Sequence, residues 1–180
     1  MSFPKPYADQ VAKLRVPTGF LMVAAFVWLA APTWSSLAAG LPVAVAGLAV
    51  RAWAAGHLEK NLALTESGPY SHVRNPLYLG TLGVAAGFAI ASRRWELMIL
   101  FAAVFLLIYL PVVELEEQHL RKLFSEYRNY ADKVPKLVPA LSAKTKTPKK
   151  FKWTQYRNNR EYEALAGFLA GLAVLCWKAF

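Results

Sequence analysis

The chain has 180 residues, of which 56% are hydrophobic and 18% are charged, and it carries a formal net charge of +10 and one cysteine. Apolar residues gathered into long uncharged runs exclude an ordinary soluble domain and indicate an integral membrane protein. In such a protein lysine and arginine report the topology, so the basic charge does not predict a nucleic-acid partner. A single cysteine also excludes an intramolecular disulfide.

Five apolar runs are candidates for membrane-crossing helices, because about 20 apolar residues span a bilayer core of roughly 30 Å. They are residues 16–34, 34–50, 77–91, 97–113 and 164–180. We therefore predict an all-α fold, a polytopic transmembrane helical bundle of about five spans.

Basic residues are distributed unequally between the two sides of these spans. Eighteen of the 21 lysines and arginines fall on the side of the N-terminus, and only Arg93, Arg94 and Lys178 fall on the other. Because cytoplasmic loops are enriched in basic residues, we expect the N-terminus and the two long loops in the cytoplasm of a bacterial inner membrane or an endoplasmic-reticulum-like membrane. A signal sequence cleaved after Ala31 is the alternative for the first run, but Pro32 and four later spans follow it.

Residues 1–56 are predicted to form an N-terminal helical hairpin. Pro32 and the pair Ser35-Ser36 supply its turn. Small residues along the second span allow close packing against a neighbouring helix. Residues 51–65 are expected to follow as an amphipathic or interfacial piece.

A core of residues 57–139 holds the third and fourth spans. Pro76 suits the first turn of a helix, where its missing N–H costs nothing, so the third span should begin there with Asn75 as its N-cap. The fourth span should kink at Pro111 and continue past the membrane as an amphipathic cytoplasmic helix to about Tyr130.

Residues 140–163 are predicted to form a basic cytoplasmic linker. Its stretch KTKTPKKFK, residues 144–152, should lie against anionic lipid headgroups, because each basic residue near such a surface contributes about 1 kcal/mol. Residues 164–180 then form a C-terminal transmembrane helix, in which Cys176 is expected to be a packing residue.

Two polar clusters stand at the inner mouth of the apolar spans. The first contains His72, Arg74, Asn75, Tyr78 and Gly80, and the second contains Glu114, Glu116, Glu117 and His119. Ionisable groups at membrane depth are costly, so they indicate a functional site when a partner can be named. Each cluster alone has a structural explanation, since Arg74 can snorkel to the interface and Glu117 can pair with Arg121 one turn on. Together they suit a ligand with charges of both signs, and at least one acid should face the bundle and meet Arg74 or a cationic ligand.

In their order along the chain these residues resemble the isoprenylcysteine carboxyl methyltransferase family, which belongs with the phospholipid methyltransferases among integral membrane enzymes. The resemblance covers about residues 66–139. It is carried by Gly68-Pro69-Tyr70, Val73-Arg74-Asn75-Pro76-Leu77-Tyr78-Leu79-Gly80, Glu116-Glu117-Gln118-His119-Leu120, Phe124, Tyr127, Tyr130 and Val134-Pro135-Lys136. Two residues depart from the family pattern: Asn75 stands where histidine is usual, and Lys136 stands where arginine is usual. Asparagine cannot titrate, so a base role of that histidine does not carry over.

The resemblance implies that the chain binds S-adenosyl-L-methionine near the cytoplasmic face, and no metal is expected. Arg74, Asn75, Tyr78, Leu79 and Gly80 would line one wall, Glu116 and Glu117 the other, and Tyr127, Tyr130 and Lys136 the cover, with His72, Pro76 and His119 completing the set. Within this set Glu116, Glu117 and Arg74 are the candidate catalytic residues.

The methyl acceptor implied by the resemblance is lipophilic or lipidated and enters from the bilayer, most simply as the carboxylate of an isoprenylcysteine-like or other lipid-like molecule. A carboxylate is already ionised and needs no base, whereas a phospholipid amine would have to lose a proton to Glu116, Glu117 or His119. Two alternatives stay open: a nicotinamide-dependent membrane reductase of the sterol type, and a non-catalytic protein that binds lipid or a partner.

Overall fold

The computed structural model describes residues 5–180, and these form eight α-helices and no strand. The helices are α1 (Lys5–Leu29), α2 (Trp34–His57), α3 (Pro76–Ser92), α4 (Trp95–Val104), α5 (Leu110–Leu123), α6 (Tyr127–Lys133), α7 (Trp153–Asn158) and α8 (Tyr162–Ala179). A 3-10 turn, Gly68–Ser71, precedes α3. A π-helical turn, Phe105–Tyr109, joins α4 and α5 into one continuous helix.

The predicted all-α membrane bundle is confirmed. Three helices are long and apolar enough to cross a membrane, namely Trp34–His57, Trp95–Leu123 and Tyr162–Ala179. Val16–Leu29 and Pro76–Ser92 are shorter apolar helices, so the five predicted runs are all present as helices and the number of full spans is approximate. Large apolar side chains such as Phe20, Trp28 and Trp177 point outward, as they do where lipid covers a bundle.

The closest packing in the bundle is between α2 and α3, and small residues permit it. A Cβ atom added to Gly47 would lie 2.5 Å from the backbone nitrogen of Val84, and one added to Gly87 would overlap the backbone of Ala44. The two helices therefore touch along their backbones, as the small residues of the second span predicted. This contact fixes the first turn of α3 against the last turns of α2, where the polar residues lie.

The helix boundaries correct two of the predictions. Residues 51–65 are not a separate interfacial piece, because α2 continues to His57 and a turn-rich loop follows. The helix after Pro111 ends at Leu123 rather than near Tyr130, because Phe124 adopts an extended conformation and the chain restarts as α6 at Tyr127. The break has a physical reason: it allows Tyr127, Tyr130 and Val134 to be buried together, which a straight amphipathic helix would not.

The linker after α6 lies across the loops rather than standing free. Its backbone nitrogens at Ala140, Lys144 and Lys152 donate to carbonyl oxygens of the segments around His72 and Gly56 at 2.8–2.9 Å. We call residues 140–152 the strap. Two of its lysines, Lys149 and Lys152, form ion pairs with Glu59 at 2.7 and 3.5 Å, so these two are engaged with protein, while headgroup contact by the other lysines stays a prediction.

Candidate functional site

A polar cavity of about 640 Å³ opens at the end of the bundle where α2 ends and α3 begins. The loop after α2, the start of α3, the helices α5 and α6 and the turn before α8 all contribute to its walls. Six of the residues predicted from the sequence line it, namely Arg74, Tyr78, Glu116, His119, Tyr127 and Tyr130. Its volume lies within the range of about 300–1,000 Å³ that is usual for small-molecule sites.

Beside this cavity lies a buried ion pair. Glu117 is 1% exposed, and its carboxylate lies 3.1 Å from Arg74 Nε and 3.2 Å from Lys136 Nζ. The Asn75 amide also donates to it at 3.0 Å. We call Arg74, Asn75, Glu117 and Lys136 the brace. The prediction that one acid of the second cluster faces the bundle and meets Arg74 is confirmed, and the alternative pairing of Glu117 with Arg121 is wrong.

The brace also holds the chain around it. Arg74 donates to the Ala131 carbonyl at 2.6 Å, and Lys136 Nζ lies 2.6 Å from the carboxylate of Glu114. Asn75 occupies the N-cap position of α3, but its side chain forms no cap bond; its Nδ2 donates to Glu117 and to the Lys136 carbonyl. The two residues that depart from the family pattern, Asn75 and Lys136, are thus neighbours that share one carboxylate.

Glu116, one residue before the buried acid, lies about 100° from it around the helix axis and faces the polar cavity. Its carboxylate borders the polar cavity and accepts a hydrogen bond of 2.9 Å from the Tyr78 hydroxyl. The Tyr78 ring meets the Tyr109 ring edge-on, with the centroids 6.2 Å apart. Of the two adjacent glutamates, one therefore holds the protein together and the other presents a negative charge to the cavity.

Two tyrosines of α6 close the cavity on a third side. Tyr127 and Tyr130 are 1% and 3% exposed, and the Tyr130 hydroxyl donates to the Tyr70 carbonyl at 2.8 Å. Burial raises the pKa of both phenols well above its ordinary value, so they remain neutral hydrogen-bonding groups at any physiological pH. They pack with Leu64, Leu120 and Phe124 into one apolar cluster.

The remaining predicted site residues lie behind the cavity wall. His72 is hydrogen-bonded through Nδ1 to the Ala140 carbonyl of the strap. Pro76 is buried in the first turn of α3. Gly80 faces α2, where a Cβ atom would meet the side chain of Arg51 at 2.5 Å. Leu79, like Asn75, Glu117 and Lys136, is not among the lining residues.

Sequence reasoning missed four charged residues that line the cavity, namely Arg51, Glu59, Lys60 and Glu161. Glu59 pairs with Lys149 and Lys152 of the strap. Lys60, in the loop after α2, forms no ion pair within residues 5–180. Arg51 and Glu161 form a two-point ion pair, Nε to Oε1 at 2.7 Å and Nη2 to Oε2 at 3.0 Å. The signal for Arg51 was a lone charge near the end of an apolar run, whereas Glu161 carried no signal because it belongs to no motif.

A second cavity, apolar and of about 630 Å³, lies inside the bundle between α1, α2, α3, α4 and α8. Arg51 is the only charged residue among the described residues that line it. Arg51, Thr81 and Tyr109 line both cavities, so the polar site and the apolar interior meet at these three side chains. Within residues 5–180 there is no group of three histidine, cysteine or acidic residues that could hold a metal ion.

A model of the family described as phospholipid methyltransferase matches residues 14–127. Those residues include most of α1, all of α2 to α5, and most of the polar cavity wall. The α7–α8 region, with Glu161, lies outside the match.

Two curated relatives are similar to part of the chain. The cobalt-zinc-cadmium resistance protein CzcN of Cupriavidus metallidurans is 33% identical over 105 residues, covering 57% of this chain and 47% of its own length. The nickel-cobalt-cadmium resistance protein NccN of Alcaligenes xylosoxydans xylosoxydans is 33% identical over 116 residues, covering 61% and 54%. The chain spans about half the length of these relatives, and no solved structure matches it significantly.

Proposed function

Because the chain belongs to the phospholipid methyltransferase family, we propose that it transfers a methyl group from S-adenosylmethionine to a lipophilic acceptor, most simply a carboxylate borne by an isoprenylcysteine-like or other lipid-like molecule. The observation that carries the proposal is the meeting of a polar and an apolar cavity at Arg51, Thr81 and Tyr109. A methyl donor that is soluble in water and an acceptor that is soluble in lipid require such a junction.

The side chains of the polar cavity fit the cofactor by their chemistry. Glu116 offers a carboxylate to the sulfonium, and Lys60 offers a cation to the carboxylate. Phe124 and Tyr127 offer aromatic surface to the adenine. Arg74, which the sequence made the candidate for an anion, pairs with Glu117 and donates to the Ala131 carbonyl, and it does not line the apolar cavity, so we assign it and Glu117 to supporting the site.

Methyl transfer asks little of the protein beyond geometry and the exclusion of water. When bound, S-adenosylmethionine supplies a methyl group on a sulfonium: the acceptor oxygen bonds to the methyl carbon, the carbon–sulfur bond breaks with its electron pair going to sulfur, and no proton moves if the acceptor is a carboxylate. The brace holds α5 and the start of α3 in register, and the α6 tyrosines cover the cavity. Both tasks are positional, so Asn75 in place of a titratable histidine is compatible with this reaction.

Family membership supports methyl transfer over reduction by a nicotinamide cofactor. The distribution of basic residues supports a cytoplasmic position for the polar cavity. A lateral route between the helices would let the acceptor keep its apolar part in the bilayer throughout.

Binding of S-adenosylhomocysteine and S-adenosylmethionine to the purified full chain, measured by calorimetry, tests the proposal. Glu116→Gln should weaken binding of S-adenosylmethionine about 3- to 10-fold more than binding of S-adenosylhomocysteine, which keeps the ammonium and carboxylate groups but lacks the sulfonium charge, because an interaction with that charge is lost. Glu163→Gln, an exposed acid in α8, is the matched control and should change neither affinity.

A second measurement addresses the reaction. Membranes containing the chain are supplied with cofactor labelled on the methyl group, and labelled lipid that releases the label in base is the expected ester product. A folded chain that binds NADPH but neither cofactor form would overturn the assignment.

A further inference from the structure

Arg51 lies at the end of the apolar cavity where the polar head group of a bound molecule would be. It is the one charged residue among the described residues lining that cavity, and its guanidinium Nη1 also contacts the Thr81 hydroxyl. The Thr81 hydroxyl already donates to the Leu77 carbonyl at 2.9 Å. The polar end of the cavity is therefore dominated by a group that only donates hydrogen bonds and that carries a positive charge.

The region before α8 holds Arg51 in this place. Arg160 adopts a left-handed backbone conformation, which turns the chain so that Glu161 points back at α2. The Asn159 amide donates to the carbonyls of Ala55 and Leu58 at 2.9 Å each, and this fixes the same turn to the end of α2. Glu161 is 5% exposed, so the pair is sheltered and directional.

The apolar cavity takes one of its walls from α8. Phe168 and Gly171 pack against Phe88 of α3, whereas a Cβ atom added to Gly167 would meet nothing within 4 Å. Gly167 nevertheless lines the cavity, so a side chain at this position would grow into open space. The family match ends at residue 127, so the wall formed by α8 lies outside it.

We propose that Arg51, positioned by Glu161, binds the acceptor's carboxylate, and that α8 with Gly167 determines how long an apolar chain the cavity accepts. The inference rests on the proposed function and names two specificity elements that lie in or depend on the C-terminal region. The Arg51 guanidinium would pair directly with a negatively charged head group of the acceptor. The Glu161 carboxylate competes with that head group for the same guanidinium. Weakening that competition should therefore strengthen acceptor binding.

The test measures equilibrium binding of radiolabelled palmitic acid to the purified full chain, with hexadecanol as a neutral head and octanoic acid as a short chain. Arg51→Gln should lower palmitic acid affinity at least 10-fold and leave hexadecanol affinity unchanged. Glu161→Gln should raise palmitic acid affinity several-fold, a direction that a merely structural ion pair would not give. Arg51 and Glu161 also line the polar cavity, so retained hexadecanol affinity, rather than cofactor affinity, is the control for folding in both variants.

Chain length is tested at Gly167. Gly167→Leu should lower palmitic acid affinity at least 5-fold and octanoic acid affinity less. Ala166→Leu, the adjacent position that does not line the cavity, is the matched control and should change neither.

The outcomes separate this inference from the proposed function. It is overturned if the unaltered chain does not bind palmitic acid, if Glu161→Gln lowers palmitic acid affinity, or if Gly167→Leu leaves it unchanged. Each of these results can occur while S-adenosylhomocysteine still binds. Absence of cofactor binding in the unaltered chain would instead contradict the proposed function.

Discussion

Removing the carboxylate of Glu117 should destabilise the protein more than removing any acid on its surface. The Glu117 side chain is 2% exposed and its partner Arg74 is 11% exposed, so Glu117→Ala leaves a guanidinium largely out of water with no counter-charge. Removing one partner of a buried ion pair costs about 3–5 kcal/mol. Glu117→Gln keeps an oxygen that accepts from Asn75, so we expect it to cost about 1.5–3 kcal/mol.

The assay is unfolding of the purified chain in mixed micelles by titration with a denaturing detergent, followed by the fluorescence of its six tryptophans. Glu163→Gln removes one partner of an exposed ion pair with Arg160. It serves as the control and should leave the free energy of unfolding unchanged. Arg74→Ala combined with Glu117→Ala should cost less than the two single changes together, by about 0.5–3 kcal/mol. Equal stability of Glu117→Ala and the control, or strict additivity of the double change, would refute the reasoning.

Three further changes probe other parts of the structure. Tyr78→Phe removes the hydroxyl that orients Glu116 and should weaken S-adenosylmethionine binding about 2- to 10-fold by calorimetry, since one net hydrogen bond contributes roughly 0.5–1.5 kcal/mol; unchanged affinity would contradict this. Gly87→Leu places a side chain against the backbone of α2 and should lower the melting temperature or prevent folding, whereas Gly167→Leu, which meets open space, should melt like the unaltered chain. A hydrogen bond from Lys149 of the strap is the main cause that lowers the pKa of the Glu59 carboxyl from its ordinary value of 4.5 in the folded protein. The stabilisation by this carboxylate is therefore fully present above pH 4.5 and is lost as the pH falls through the lower folded pKa. Glu59→Gln should thus melt at a lower temperature than the unaltered chain at neutral pH and at the same temperature in acid.

The spans and the meeting of one acid with Arg74 could be predicted because each follows from a rule that acts locally or through charge. Uncharged runs of sufficient length read directly as membrane helices, and Pro76 marks the start of α3 as expected. Glu117 and Arg74 are 43 positions apart, yet each would be costly alone at membrane depth. The sequence alone therefore indicated that each of these charges needs a partner.

The break at Phe124 and the Arg51–Glu161 pair could not be predicted in the same way. No proline or glycine marks the end of α5, and the turn depends on the joint burial of Tyr127 and Tyr130, which is a tertiary effect. Arg51 looked like an ordinary charge at the end of an apolar helix. Its partner lies 110 positions later, and nothing in the intervening sequence specifies that they meet.

That separation has a consequence for how the protein is made. Segments leave the ribosome in order, so α2 inserts long before Glu161 is synthesised. Until then Arg51 must reach toward water or headgroups along its flexible stem. Arrival of α8 brings Glu161 to this guanidinium, so the junction of the two cavities is completed only after the segment around Glu161 has been synthesised.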